Sequence, residues 1–373
     1  MTSQKSGVEP LFRIVKRDNL PKWKAWIIRV IAIAAALFLG AIISAGLTGG
    51  SGFGTFFVEL FDGVFGTERR ILNFFQNTAI LLCIALAVTP AFKMRFWNIG
   101  AEGQVLMGGL GSVICMFYIK NSVPEWALLL IMAATSLAFG MVWAVIPAIF
   151  KAKWKTNETL FTLMLNYIAM GLISICIAMW VPTGSQNLSP LPYGRFPLIG
   201  GQRYILNIII VAVVAVAMFL YFRFSKHGYE LTVVGESENT AKYVGINVKK
   251  VIIRTMILSG ALCGLAGLLL VAGTGYTIGP TTVDNRGFTA ILVSWLGKFS
   301  VLGMTGTTML YVFIDMGVAE VAKTFNIGEA FPDIITGVFF FLVIACEFFI
   351  NYKIKFRSLK KKRTEATVEE VAA

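Results

Sequence analysis

The stretch FWNIGAEGQVLMGGLG, residues 96–111, gathers Asn98, Glu102 and Gln104 at the mouth of a run otherwise composed for lipid. A charge at the centre of a bilayer costs about 2.5–3.5 kcal/mol on insertion scales, so a carboxylate kept there faces a cavity or a partner. Glu102 stands seven residues beyond Arg95, about 10 Å along a helix, with Gly100 and Gly103 beside it. Glycines there permit close helix contact or a break in the helix, and broken backbone at membrane depth is tolerated where it is buried or lines a cavity. Two roles are open to Glu102: fixing the bundle through a backbone end or a neighbour, or bordering a path for solute.

Three further groups have the same character. Asn166 and Tyr167 lie in TLMLNYIAMG, and Gln76, Asn77 and Thr78 open another apolar run. Asn285, Phe288, Thr289, Ser294 and Trp295 punctuate VDNRGFTAILVSWLGK. Amides, hydroxyls and rings suit a neutral, hydrogen-bonding, partly flat ligand, and with no Lys or Arg cluster at a span centre a phosphorylated one is disfavoured. Taken singly, each residue serves more readily as interhelical hydrogen-bonding glue than as a ligand contact. Covalent chemistry is not expected of this chain. The apolar runs contain no paired carboxylates, no histidine cluster and no Ser/Lys arrangement, and His227 is the sole histidine. Cys83, Cys115, Cys176, Cys263 and Cys346 fall in apolar runs without metal-ligand spacing and read as packing residues. No GxxxxGK[ST] stretch is present to wrap phosphates, so the chain binds no cofactor of its own, and ATP, if it drives the process, belongs to another polypeptide.

The elements that must hold these residues are membrane helices. The 373 residues are 57% hydrophobic and 14% charged, outside the range of a soluble domain. Runs long enough to cross as helix lie near 27–47, 77–93, 98–119, 126–150, 159–181, 204–222, 251–272, 281–297, 300–322 and 331–350. The fold class is therefore all-α, a polytopic transmembrane bundle of about ten spans. The run at 281–297 is interrupted by Asp284, Arg286 and Gly287 near its start. Of the 33 basic residues, 25 fall on segments that are cytosolic if the N-terminus is inside, which predicts both ends in the cytosol. The net charge of +13 thus reports topology and not nucleic-acid binding. Three regions follow: a basic cytosolic segment 1–26, a membrane domain 27–351 and a basic cytosolic tail 352–373. A first run of full crossing length after a long basic flank argues against a cleavable signal peptide.

Between the first two runs, Phe53, Phe56, Phe57, Leu60, Phe61, Val64 and Phe65 recur at helical spacing, predicting a short interfacial helix on the outer side. Tryptophans 23, 26, 97, 126, 154 and 180 fall near span ends, where amphipathic rings prefer the headgroups. Gly260, Gly264 and Gly267 form a small-residue face for tight helix packing. The outer loop 182–203, with its prolines and glycines, predicts an ordered cap without helix. The inner loop 223–250 is the largest polar segment facing the cytosol, and Ser237 can cap a short helix through Val244. A polar helix there is a solvated connector or a docking element.

Four motifs in order, FWNIGAEGQVLMGGL, TLFTLMLNYIA, GESENTAKYVGINVKKVIIRTMILSGALCGLAGLLLVAG and RGFTAILVSWLGK, resemble the permease subunit of bacterial ABC importers in the ribose and branched-chain amino-acid permease superfamily. NIGAEGQ is most similar to the nucleoside-importer branch. The resemblance spans about residues 70–350, with Lys242 and SWLGKFS as small departures. It implies a pore of two permease subunits, often paralogues, in a bacterial cell membrane, with ATP bound by a cytosolic ATPase subunit and substrate delivered by an extracellular binding lipoprotein. It places Gly235, Glu236, Asn239, Ala241 and Gly245 at the ATPase docking element, and Asn98 to Gln104 beside the path. With the polar residues above, the expected path is Asn77, Asn98, Glu102, Gln104, Asn166, Tyr167, Phe288 and Trp295, carrying nucleosides by alternating access. Ribose or another small polar solute is the alternative substrate, and a proton-coupled secondary transporter with Glu102 as the titrating group is the alternative engine.

Overall fold

The computed structural model describes residues 12–17, 21–48, 50, 52–120, 122–181, 188–328 and 330–356. The first eleven residues, residues 182–187 of the predicted cap and the tail beyond 356 lie outside the described residues. In chain order the elements are β1 (Phe12–Lys16), α1 (Lys22–Leu47), α2 (Gly52–Phe65), α3 (Glu68–Lys93), α4 (Ala101–Tyr118), α5 (Glu125–Trp154) and α6 (Glu158–Trp180). There follow α7 (Ile205–Phe224), α8 (Lys226–Glu236), α9 (Glu238–Tyr243), α10 (Val248–Leu270) with a π turn at Val271–Gly275, α11 (Arg286–Leu296), α12 (Val301–Thr324), α13 (Phe331–Asn351) and β2 (Tyr352–Phe356). A polytopic helical bundle is what the composition requires, because lipid offers backbone groups no partner and a helix satisfies them internally.

Among the described residues, eight helices are long and apolar enough to cross a membrane: α1, α3, α5, α6, α7, α10 with its π turn, α12 and α13. The remaining two predicted spans differ. The run 98–119 becomes α4, 18 residues whose first turn carries Glu102. The run 281–297 shrinks to α11, eleven residues, which cover only about 16 Å of a core about 30 Å thick. Its missing half is irregular chain. Asp284 and Asn285 both take left-handed φ of 56°, which ends any helix but suits short polar side chains. The interruption that the sequence places at the start of this run is therefore a real break.

The described residues fall into two compact units, within Met1–Leu60 with Val318–Ala373 and within Phe61–Gly317. In the first, α1 runs antiparallel to α13, Gly40 meeting Ile335 and Arg29 pairing with Glu347. Phe56 at the start of α2 is fully buried against Gly40, as its helical spacing predicts. Beyond these helices β1 pairs antiparallel with β2, Phe12 opposite Phe356 and Lys16 opposite Tyr352. This ribbon, which helical periodicity could not foresee, brings the two described ends of the chain together.

In the second unit α3, α4 and α10 are buried among the others, and α5 and α7 show most of their apolar surface. The small-residue face works as the sequence predicts. A Cβ on Gly264 would stand 2.3 Å from the Ser136 carbonyl, and one on Gly267 2.3 Å from that of Val105, so α5, α10 and α4 touch backbone to backbone. The Ser136 hydroxyl lies between them, 2.8 Å from the Gly108 carbonyl and 2.6 Å from that of Gly264. Residues 188–203 form an ordered cap, held by Leu191 N to Tyr276 O (2.8 Å) and Phe196 N to Ala272 O (3.0 Å). Those acceptors lie in and just after the π turn.

Candidate functional site

Glu102 is buried, and both of its oxygens serve one purpose. Oε1 accepts the backbone N–H of Asn285 at 3.1 Å, and Oε2 that of Gly287 at 2.8 Å. Those N–H groups belong to the first turn of α11, where a helix leaves its donors without internal partners. Inside a membrane no water replaces them, and a carboxylate at the positive end of the helix satisfies donors and dipole together. Of the two roles open to Glu102, the geometry supplies the bundle-fixing one. Gly287 makes it possible, since a Cβ there would stand 2.5 Å from Glu102 N.

The rest of the motif braces this joint. Asn98 Oδ1 accepts from Gly100 N and from Gln104 Nε2, each at 3.1 Å, and its Nδ2 donates to Ser259 at 3.4 Å. Asn166 Oδ1 accepts from Gly103 N at 2.8 Å, and its Nδ2 donates to Ile99 O at 2.9 Å. The irregular chain 96–100 before α4 thus finds its partners in the Asn166 amide and the Thr162 hydroxyl of α6 and in its own Asn98. Asn98, Glu102, Gln104 and Asn166 are all buried, engaged with this chain's own groups.

The other four expected path residues are more open. Asn77 accepts from Arg286 Nη2 at 3.2 Å, which places Arg286 nine residues into α3, about 14 Å along it, and not in an outer loop as its position in the sequence suggests. Phe288, 37% exposed, lies one turn into α11. Trp295 is 55% exposed at the far end of α11, its ring 5.8 Å from that of Trp97. Tyr167 is 64% exposed, turned outward at the position after buried Asn166. Beside the Asn77–Arg286 pair the fold assembles groups that the sequence does not link: Tyr311 of α12 hydrogen-bonds Thr289 and lies within electrostatic reach of Asp315, Arg286 and Asp284. Acidic and aromatic residues inside the apolar run 300–322 were the signal available for Asp315 and Tyr311. The pairs Asn77–Arg286, Ala85–Ser294 (3.2 Å) and Phe92–Phe299 (ring centroids 6.0 Å) show that α11 runs parallel to α3.

At the other end of α3 lies the polar segment 223–250, which the sequence reads as a loop with one short helix. The helix capped by Ser237 is α9, with Thr240 N donating to its hydroxyl at 3.2 Å. The residues before it form α8, capped by Ser225 at 2.9 Å. Gly235 seats α8 on α3, for a Cβ there would stand 2.1 Å from the Lys93 carbonyl. Ala241 is fully buried in a cluster with Met94, Ala148, Val234 and Ile252. Glu236, Asn239 and Gly245 are exposed, and Gly245 turns the chain with φ 82°. Tyr243 is 92% exposed on this rigid base. Glu230 accepts from Arg254 of α10 at 2.8 Å. That hydrogen bond, ahead of the cost of burial, holds its carboxyl below the usual carboxylate range.

The described residues form a polytopic helical bundle with a broken span, polar side chains at membrane depth and a polar helix pair at the end of α3. The family described as the permease component of branched-chain amino acid transport systems matches residues 70–345, and the chain belongs to that family. Among its relatives, a glucose ABC transporter permease of Haloferax volcanii is 29% identical, over 91% of this chain and 92% of its own length. A guanosine ABC transporter permease of Bacillus subtilis is 28% identical over 90% and 97%. A nucleoside ABC transporter permease of Lactococcus lactis is 26% identical over 93% and 97%. The chain is therefore an ABC transporter permease subunit, a pore component and not an enzyme, and a multi-pass protein of the cell membrane. A proton-coupled carrier built on Glu102 gives way to that assignment.

Proposed function

We propose that this chain lines the translocation path of an ATP-driven nucleoside importer, together with a second permease subunit, a cytosolic ATPase subunit that binds the ATP and an extracellular binding lipoprotein. The carrying observation is the cluster at the start of α11, where Asn77 pairs with Arg286 and Thr289 and Asp315 stand by the Tyr311 ring, with Phe288 exposed on the same turn of α11. Flat rings suit a base, and hydroxyl, amide and carboxylate groups suit ribose and base edges. The guanosine and nucleoside relatives support that reading. Asn98, Glu102, Gln104 and Asn166 act on the path by holding α11 at its edge.

The basic residues orient the chain with α8 and α9 in the cytosol. There Glu236, Asn239 and Tyr243 form the docking face for the ATPase, with Gly235, Ala241 and Gly245 shaping its base. Because α8 rests on the end of α3, and α11 lies along α3, closure of an ATPase dimer under α9 moves the α3–α11 pair beside the cluster.

The glucose relative favours a sugar as the second reading. Uptake of radiolabelled guanosine and glucose in a strain lacking this chain, with and without the chain restored, separates the two. Nucleoside uptake is expected to fall at least tenfold and return on restoration with glucose uptake unchanged. The opposite pattern assigns a sugar.

A further inference from the structure

A groove of about 620 Å³ lies at the ends of α1 and α13, next to their β-ribbon. Its floor is apolar, built from Ile28, Ile31, Ala32, Leu342 and Phe349, and its mouth carries Arg17 and Lys353. We propose that it holds one anionic phospholipid of the inner leaflet, with the phosphate between Arg17 and Lys353 and an acyl chain along Ile31 and Leu342.

Three observations carry this. The Arg17 Nε is buried without a hydrogen-bond partner, and a buried guanidinium donor without an acceptor is costly. A phosphate oxygen at the mouth would satisfy it. Next, the register concentrates positive charge on one side of the ribbon. Lys353 stands opposite Val15, and strand alternation puts Arg13 and Arg17 on the face of Val15. The described residues of β1, Arg17 and β2 include no carboxylate to balance them. The nearby span charge is already paired, Arg29 with Glu347, so Glu347 is not free to serve the ribbon. Finally, the floor belongs to two membrane-crossing helices. A soluble anion would leave that apolar floor empty, whereas a lipid fills floor and mouth together, and basic residues flanking spans attract anionic headgroups. The leaflet rests on the orientation proposed above; retention of the lipid does not.

Native mass spectrometry of the full-length chain in mild detergent, titrated with phosphatidylglycerol or phosphatidylcholine of equal chain length, tests the site. One phosphatidylglycerol is expected to be retained in preference to phosphatidylcholine. Arg17→Gln with Lys353→Gln should weaken retention about 30-fold, roughly fivefold for each cation near an anionic lipid. Arg17→Lys with Lys353→Arg should keep it. Ala32→Phe, which fills the floor and leaves both charges, should abolish it, and Lys153→Gln with Lys155→Gln, equal in charge but at the C-terminal end of α5, should not alter it. Glycerol phosphate, the headgroup without chains, should fail to displace the lipid. Equal retention of both lipids, full retention by the Arg17/Lys353 double variant, or displacement by glycerol phosphate would each overturn the assignment.

Discussion

Glu102 shows how a carboxylate inside a membrane protein can be held by backbone alone. It closes the start of α11, whose N-cap, Asn285, lies 183 residues later in the chain. Glu102→Ala leaves the buried Gly287 N–H and the half-buried Asn285 N–H unanswered, so a loss of roughly 2–6 kcal/mol is expected at about 1–3 kcal/mol per orphaned group. Glu102→Gln keeps the shape but turns one acceptor into a donor facing an N–H, and should lose about half as much. Gly287→Ala drives a methyl against backbone at 2.5 Å, which no rotamer relieves, and should be at least as damaging as Glu102→Ala. Thermal unfolding in detergent checks the order, and a Glu102→Gln protein as stable as wild type would remove the capping role. The sequence marked Glu102 through the cost of burying charge but left its partner undecided, because the partner is two backbone groups and backbone carries no sequence signature.

At the scale of elements, α11 and α8 depart furthest from the sequence reading, for opposite reasons. Periodic apolar residues made 281–297 resemble a whole span, while two consecutive left-handed residues in the Asp284–Asn285 turn cut it to half a span. A dense polar run made 223–250 resemble a loop, while successive caps at Ser225, Ser237 and Asn247 folded it as helices. The Glu230–Arg254 pair ties α8 to α10 and gives this region a pH dependence. The carboxyl is lowered in the folded protein, so its contribution is complete above the unfolded value of about 4.3 and is lost as pH falls through the lower folded value. Once the intrinsic slowing of amide exchange in acid is divided out, exchange across 226–243 should therefore accelerate below about pH 4. Arg254→Gln should produce a comparable acceleration at neutral pH, worth about 0.5–1 kcal/mol for a partly exposed pair, and should flatten the acid response. Exchange in wild type that is indifferent to pH down to 3 would dismiss this latch.

For the molecule as a whole, the question is which surfaces await other chains. Tyr243 projects from a helix whose neighbour Ala241 is locked in the core, so it can be removed without disturbing its support. Exposed aromatic side chains on rigid bases are the usual anchors of interfaces, with losses of about 2 kcal/mol or more on truncation. Tyr243→Ala is expected to leave thermal stability within about 0.5 kcal/mol of wild type while cutting co-purification of the ATPase subunit more than tenfold. Ala241→Glu should instead unfold α9 and fail both measurements. Normal ATPase recovery with Tyr243→Ala would move the docking face elsewhere.

By itself the sequence determined that the chain is a membrane bundle, where most of its helices lie, that its tight contacts run through glycine faces, and that polar residues at membrane depth are few and purposeful. These follow from local composition and period, because lipid penalises every exposed polar group in the same way wherever it occurs. Only the tertiary structure decided what those polar residues do, since their partners are distant in the chain. It set Glu102 on the end of α11, drew Arg286 inward to Asn77, brought Asp315 and Tyr311 to the same cluster, and paired the two ends of the chain into a ribbon beside a groove.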